Sequence, residues 1–310
     1  MKLFKERILP GIIFTLIILG IIIPLSIFGP SQPIARICSF IFSGIFISLI
    51  SYEYLKGQRI PLPYVFLLML PMIFSVMLPI VNLKLLTDLN NSKFDSSPQF
   101  IGQMVREIAK DWVSILFIFS VSLFIFIIEF IYRTNMMISD RVIRMILTFI
   151  SLYILSISTR IAHMFLILNW KYLLVFFLIP VAHDIGAFMG GKTLGHKFFK
   201  QKLAPKISPN KTWEGFIFGI IASMIIATIL SFSLNLFSDT NNFYSNIEKS
   251  FLIIFGPLIS ALGDLYFSYI KRINGIKDYS RLLLGHGGIL DRFDSLSFIG
   301  FLFFIIFIFI

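Results

Sequence analysis

The residues best suited to chemistry crowd into one polar block near the carboxyl end. It runs Gly263-Asp264, Ser268-Tyr269-Ile270-Lys271-Arg272, Lys277-Asp278, then Gly285-His286-Gly287-Gly288-Ile289-Leu290-Asp291-Arg292-Phe293-Asp294. Three of its carboxylates, Asp264, Asp291 and Asp294, stand inside or at the edge of runs that are otherwise apolar. A charge placed among apolar residues of membrane length is costly, so such a group is a functional candidate. Asp291 and Asp294 are three residues apart, which on a helix puts both on one face. Carboxylates on one face suit Mg²⁺, a hard ion that takes oxygen ligands and keeps some of its waters. Lys271, Arg272, Lys277 and Arg292 suit phosphate oxygens, and the glycine turn around His286 lets backbone approach a ligand closely.

Long apolar elements must hold this block. The chain has 310 residues, 57% of them hydrophobic, above the share of a soluble domain. Runs of the length that spans a bilayer recur along it. Nine helices are expected, over about 8–28, 34–54, 61–81, 112–132, 142–159, 172–189, 212–236, 251–270 and 293–310. The fold class is an all-α polytopic integral membrane protein. A polar stretch at 82–111 reads as an exposed loop with one short surface helix near 103–112, and a basic loop of six lysines occupies 192–211. Asn210 or Thr212 caps the seventh helix, with Glu214 in its first turn. Pro24 is a candidate kink in the first helix, which reads as retained rather than cleaved. Two regions are expected: amino-terminal helices over 1–169 and a catalytic region over 170–310.

Charge orients the helices. With the amino terminus in the cytoplasm, most of the 27 Lys and Arg residues fall on the cytoplasmic side, as basic loop residues do in membrane proteins. The net charge of +11 then reflects topology and anionic lipid rather than nucleic acid. Cys38 is the one cysteine, which excludes an intrachain disulfide and a cysteine metal cluster.

The block closely resembles the signature of the phosphatidate cytidylyltransferase, or CDP-diacylglycerol synthase, family. The matching positions are Ser268, Lys271, Arg272, Lys277, Asp278, His286, Gly287, Gly288, Asp291, Arg292 and Asp294. Leu284 departs from the proline or glycine usual two before the histidine. A second segment matches upstream, Asp184-Ile185-Gly186-Ala187-Phe188 followed by Lys202 to Gly215, with Gly191-Lys192 in place of a glycine-arginine pair and extra residues around 198–201. The resemblance is specific over about 170–310 and only general before that.

The resemblance implies a nucleotidyltransferase of phospholipid biosynthesis that joins CTP to phosphatidate, giving CDP-diacylglycerol and pyrophosphate. It implies one or two divalent ions, Mg²⁺ first, and a place in the bacterial inner membrane with the site facing the cytoplasm. A homodimer is compatible with it. Asp264, Asp291 and Asp294 are the expected metal ligands, and Lys271 and Arg292 complete the catalytic set. Lys206, Ser208, Lys211, Ser268, Arg272, Lys277, His286, Gly287 and Gly288 are the expected substrate contacts. Each has a plainer reading. Asp264 fits a buried structural carboxylate, Asp291 a helix cap, Asp278 a loop ion pair, Asp184 helix packing, and the lysines a basic collar at helix ends. His286 suits a hydrogen bond better than general-base work, because a phosphate nucleophile is already ionised. Alternatives are a related membrane cytidylyltransferase acting on another lipid phosphate and, fitting less well, a transporter, which should carry broken helices in both halves.

Overall fold

The computed structural model describes residues 9–78, 95–133, 135–238, 242–280 and 287–310. The helices are α1 (Leu9–Phe28), α2 (Pro33–Gly57), α3 (Leu62–Met77), α4 (Pro98–Ala109), α5 (Trp112–Tyr132), α6 (Ile138–Leu168) and α7 (Trp170–Leu194). Two short strands follow, β1 (Lys202–Ala204) and β2 (Ser208–Thr212), and then α8 (Trp213–Ser233), α9 (Asn242–Ile273) and α10 (Leu290–Ile308). By length and composition α2, α5, α6, α7, α8 and most of α9 are able to cross a membrane. The chain is thus an all-α membrane protein, with one small hairpin among the described residues.

Local chemistry starts several helices. Ser97 accepts the Phe100 N–H at 3.3 Å to begin α4, and Asp111 accepts the Ser114 N–H at 3.3 Å to begin α5. Asn169 accepts from Lys171 at 3.1 Å, and Thr212 accepts from Gly215 at 3.1 Å, so Thr212 is the cap of α8. Each bond satisfies an N–H that the helix itself leaves unpaired. Pro24 lies inside α1.

Several elements differ from the sequence expectation. The short helix α4 lies slightly earlier than the expected 103–112, with Ile101, Val105 and Ile108 buried. The fifth expected helix was to stop near Thr159, but α6 continues to Leu168. The expected limit falls just before Arg160, which carries a charge. Arg160 instead stays in the interior and pairs with Asp111 at 3.0 Å, which offsets part of the cost of burying its charge. Likewise α9 begins at Asn242 rather than near Phe251, because the polar stretch before Phe251 is helical, with Lys249 lying over the Phe232 ring. The basic loop folds back as an antiparallel hairpin, with Lys202 opposite Thr212 and Ala204 opposite Ser208.

Helix α6 is central. It packs on α2, α5 and α10, while α7 and α8 lie side by side and α9 lies between α8 and α10. Outward faces are apolar: Ile217, Ile221, Ile225 and Ile229, four residues apart on α8, are all exposed. A stripe of that size on a protein surface faces another apolar medium. The polar block therefore sits where α7, α8, α9 and α10 converge.

Candidate active site

A cleft of about 440 Å³ opens at that convergence. Helix α7 contributes His183 and Asp184, β2 contributes Asn210, Lys211 and Thr212, and α9 contributes Asp264 and Lys271. Asp278 comes from the loop after α9, and Asp291, Arg292 and Asp294 from the first turns of α10. Periodicity explains the grouping. Asp264 and Lys271 are seven residues apart and Asp291 and Asp294 three, so each pair shares a helix face.

The acids and bases pair across the cleft. Lys211 donates to Asp264 Oδ2 at 2.5 Å, with both side chains partly exposed. The Ser268 hydroxyl donates to Asp264 Oδ1 at 3.3 Å. Lys271 donates to Asp291 Oδ1 at 2.8 Å, and its Nζ lies 4.0 Å from Asp294 Oδ2. The other oxygen of Asp291 accepts the backbone N–H groups of Tyr279 at 3.0 Å and Gly288 at 2.8 Å. Asp291 therefore ties α9 to α10 with one oxygen and the motif loop to α10 with the other. Asp294 Oδ1 accepts the Ser295 N–H at 2.7 Å, and its other oxygen faces the cleft beside Lys271.

Two glycines of the motif have structural reasons. Gly287 has φ +82°, a backbone conformation that side chains rarely adopt, and an added Cβ would lie 3.0 Å from Asp291 Oδ2. At Gly288 an added Cβ would collide with the Glu53 carboxylate. That collision reveals a residue for which the sequence carried no usable signal. Glu53, from α2, is 2% exposed. It accepts from the Ile289 N–H at 3.1 Å, the Leu290 N–H at 2.7 Å and the Ser280 hydroxyl at 2.5 Å. Helix α10 has no side-chain cap of its own at Ile289, so a carboxylate from a distant helix takes that place. An acid at the end of a membrane-length apolar run is the feature by which it could have been found.

Other expected residues fall outside the cleft. Lys206 is exposed in the hairpin turn, and Ser208 is half-buried beside it; neither lines the cleft. Arg272 Nε donates to the Ile207 carbonyl at 3.0 Å, pinning the hairpin to the end of α9. Lys277 is exposed, away from the cleft lining. Glu214, expected in the first turn of α8, also accepts the N–H groups of Phe198 at 3.0 Å and Phe199 at 2.9 Å. His286 and Leu284 lie outside the described residues.

The donor set fits Mg²⁺. Among the described residues no three or more His, Cys, Asp or Glu form a ready cage for a metal. Mg²⁺ does not need one, since one or two carboxylates plus substrate phosphates commonly hold it. Asp184, Asp264 and Asp294 all line the cleft and supply hard oxygens. Asp291 is the poorer candidate, because Lys271 and two N–H groups engage its carboxylate.

The fold and cleft define a class: a helical membrane protein with an acid-and-base pocket, suited to phosphorylated ligands, at the ends of its helices. The sequence profile of the Cytidylyltransferase family matches residues 3–310, and the chain belongs to that family. Among its relatives is the phosphatidate cytidylyltransferase of Rickettsia bellii, 45% identical over 129 residues, or 41% of this chain and 53% of the relative. The phosphatidate cytidylyltransferase of Haemophilus influenzae is 44% identical over 126 residues, 40% of this chain and 41% of the relative. That of Staphylococcus haemolyticus is 44% identical over 128 residues, 41% of this chain and 45% of the relative. The chain thus spans about half the length of these relatives or less.

Proposed function

We propose that this chain transfers the cytidylyl group of CTP to phosphatidate, giving CDP-diacylglycerol and pyrophosphate. The observation that carries the reading is the gathering of Asp184, Asp264, Asp294, Lys211, Lys271 and Arg292 around one cleft, within a chain of the Cytidylyltransferase family. The names of the relatives above support the choice of substrates.

A phosphate oxygen of phosphatidate attacks the α-phosphorus of CTP. A new P–O bond forms, the bond from the α-phosphorus to the bridging oxygen breaks, and pyrophosphate leaves with that electron pair. The nucleophile is already ionised, so no general base is required. Both reactants are anions, and the work of the protein is alignment and charge neutralisation. Lys211 and Lys271 are held by Asp264 and Asp291 and so are pre-positioned at the cleft wall. Phosphate oxygens compete with those carboxylates for the same ammonium donors. Arg292 offers a planar fork to a second phosphate. Asp264, Asp294 and Asp184 are the residues that would hold a Mg²⁺ ion, which would supply positive charge to offset the phosphates.

The same reading includes nine membrane helices with a cytoplasmic amino terminus, in a bacterial inner membrane. That orientation opens the cleft to the cytoplasm, where nucleoside triphosphates are. The test is direct. Protein purified in detergent, given labelled CTP, phosphatidate and Mg²⁺, is expected to form a CDP-lipid and pyrophosphate. Product only with another lipid phosphate would change the acceptor, and no product with any lipid phosphate would overturn the reading.

A further inference from the structure

A second cavity, of about 120 Å³, lies beside the polar cleft. Its walls include Ile22 of α1, Phe46 of α2, Ala162 of α6, Phe177 of α7 and Leu296 of α10. Arg292 lines both cavities, so the two meet at that residue. No carboxylate among the described residues lines the second cavity. Of its polar side chains, Ser43 donates to the Phe40 carbonyl at 2.8 Å and Thr159 to the Leu155 carbonyl at 2.8 Å, both within their own helices. His163 is different. It is 2% exposed, and neither ring nitrogen has a hydrogen-bond partner among the described residues.

These features describe one kind of ligand. It has an anionic end for the Arg292 side, an apolar body for the Phe and Leu walls, and an acceptor for an imidazole N–H. An acylated glycerol phosphate has all three, and apart from its phosphate its carbonyl-type acceptors are its ester groups. The geometry points to this cavity as the site of the first few carbons of one acyl chain, with the lipid phosphate in the polar cleft at Arg292 and His163 donating to the ester carbonyl of that chain. This inference rests on the cytidylyl-transfer reading and adds which part of the lipid each cavity takes. Apolar walls reward chain length, and a buried donor left unpaired favours the ligand that satisfies it.

Two substitutions separate the parts. Ala162→Phe fills the cavity. It should lower kcat/KM for dioleoyl phosphatidate by about tenfold or more, as pocket-filling changes do, and leave glycerol 3-phosphate, which carries no acyl chain, within about twofold. His163→Phe keeps a ring and removes the donor. It should cost the ester-linked substrate about five- to tenfold, the worth of one hydrogen bond, and leave a diether lipid phosphate of the same chains unaffected. Equal losses on both members of either pair would overturn the corresponding assignment. Binding is read without turnover by photolabelling the wild-type protein with a phosphatidate carrying a diazirine on the first carbons beyond the ester. Labels on residues 158–177, displaced by unlabelled phosphatidate but not by phosphatidylcholine, are expected. Labels confined to the outward stripe of α8, or displaced equally by both lipids, would overturn the site. A protein that takes the photolabel there yet turns over no phosphatidate would refute the activity and keep the cavity.

Discussion

Asp291 and Asp294 stand one helical turn apart and have different surroundings. Asp291 is engaged through both oxygens by Lys271, Tyr279 and Gly288, whereas Asp294 keeps an oxygen toward the cleft. Asn at either position preserves shape and removes a charge. Asp294→Asn is expected to insert and fold normally, to lose about a hundredfold in turnover as electrostatic groups at such sites do, and to recover part of it as Mg²⁺ is raised. Asp291→Asn is expected to lose turnover with no recovery at high Mg²⁺, because what it loses is the fastening of the loop. The check is CDP-lipid formation against Mg²⁺ concentration with the folded fraction measured in parallel; identical Mg²⁺ curves for the two variants would sink the distinction. The carboxylates of α9 and α10 were legible in the sequence because they interrupt apolar runs and lie close together in the chain. Their division of labour was not, because it depends on backbone donors in the loop that the spacing of side chains does not reveal.

Helix α10 shows the same limit one level up. Its start was legible to within a turn, expected near Phe293 and found at Leu290, but its fastening was not. The carboxylate that receives its first free N–H groups belongs to Glu53, more than two hundred residues earlier. No local pattern links them. Glu53→Gln keeps one acceptor oxygen, and Glu53→Ala leaves buried donors unpaired. Unpaired buried groups cost about 1–3 kcal/mol each, so thermal stability in detergent should fall modestly in the first and further in the second. Glu53→Gln should also lower kcat more than it raises KM for CTP, since Asp294 and Arg292 ride on the same helix. A loss of melting temperature with unchanged kcat per folded molecule would reduce Glu53 to a purely structural clamp. The hairpin escaped the sequence reading for a related reason: its strands are short and basic, without the apolar alternation that announces a strand. Thr212, by contrast, was readable as one of two candidate caps, with Asn210, because capping is a local act.

At the scale of the whole molecule the helices were the most legible feature, because a bilayer imposes length and apolarity on each span. The ends were less so. Helices α6 and α9 run past the expected limits where Arg160 and Lys249 find partners inside the protein. Topology is checked by cysteine labelling in a Cys38→Ser background. Cysteines at Lys200, beyond α7, and at Lys110, beyond α4, are expected to react from opposite faces of intact vesicles. Reaction from one face only would break the nine-helix arrangement.

The reach of Glu53 from α2 to the start of α10 also bears on how such chains exchange parts. A graft of residues 170–310 from a relative would bring the carboxylates, the glycines and the hairpin together, yet leave the clamp to the recipient. Chimeras should therefore succeed or fail on whether the recipient's second helix presents an acid at the matching height, a compatibility set outside the grafted segment.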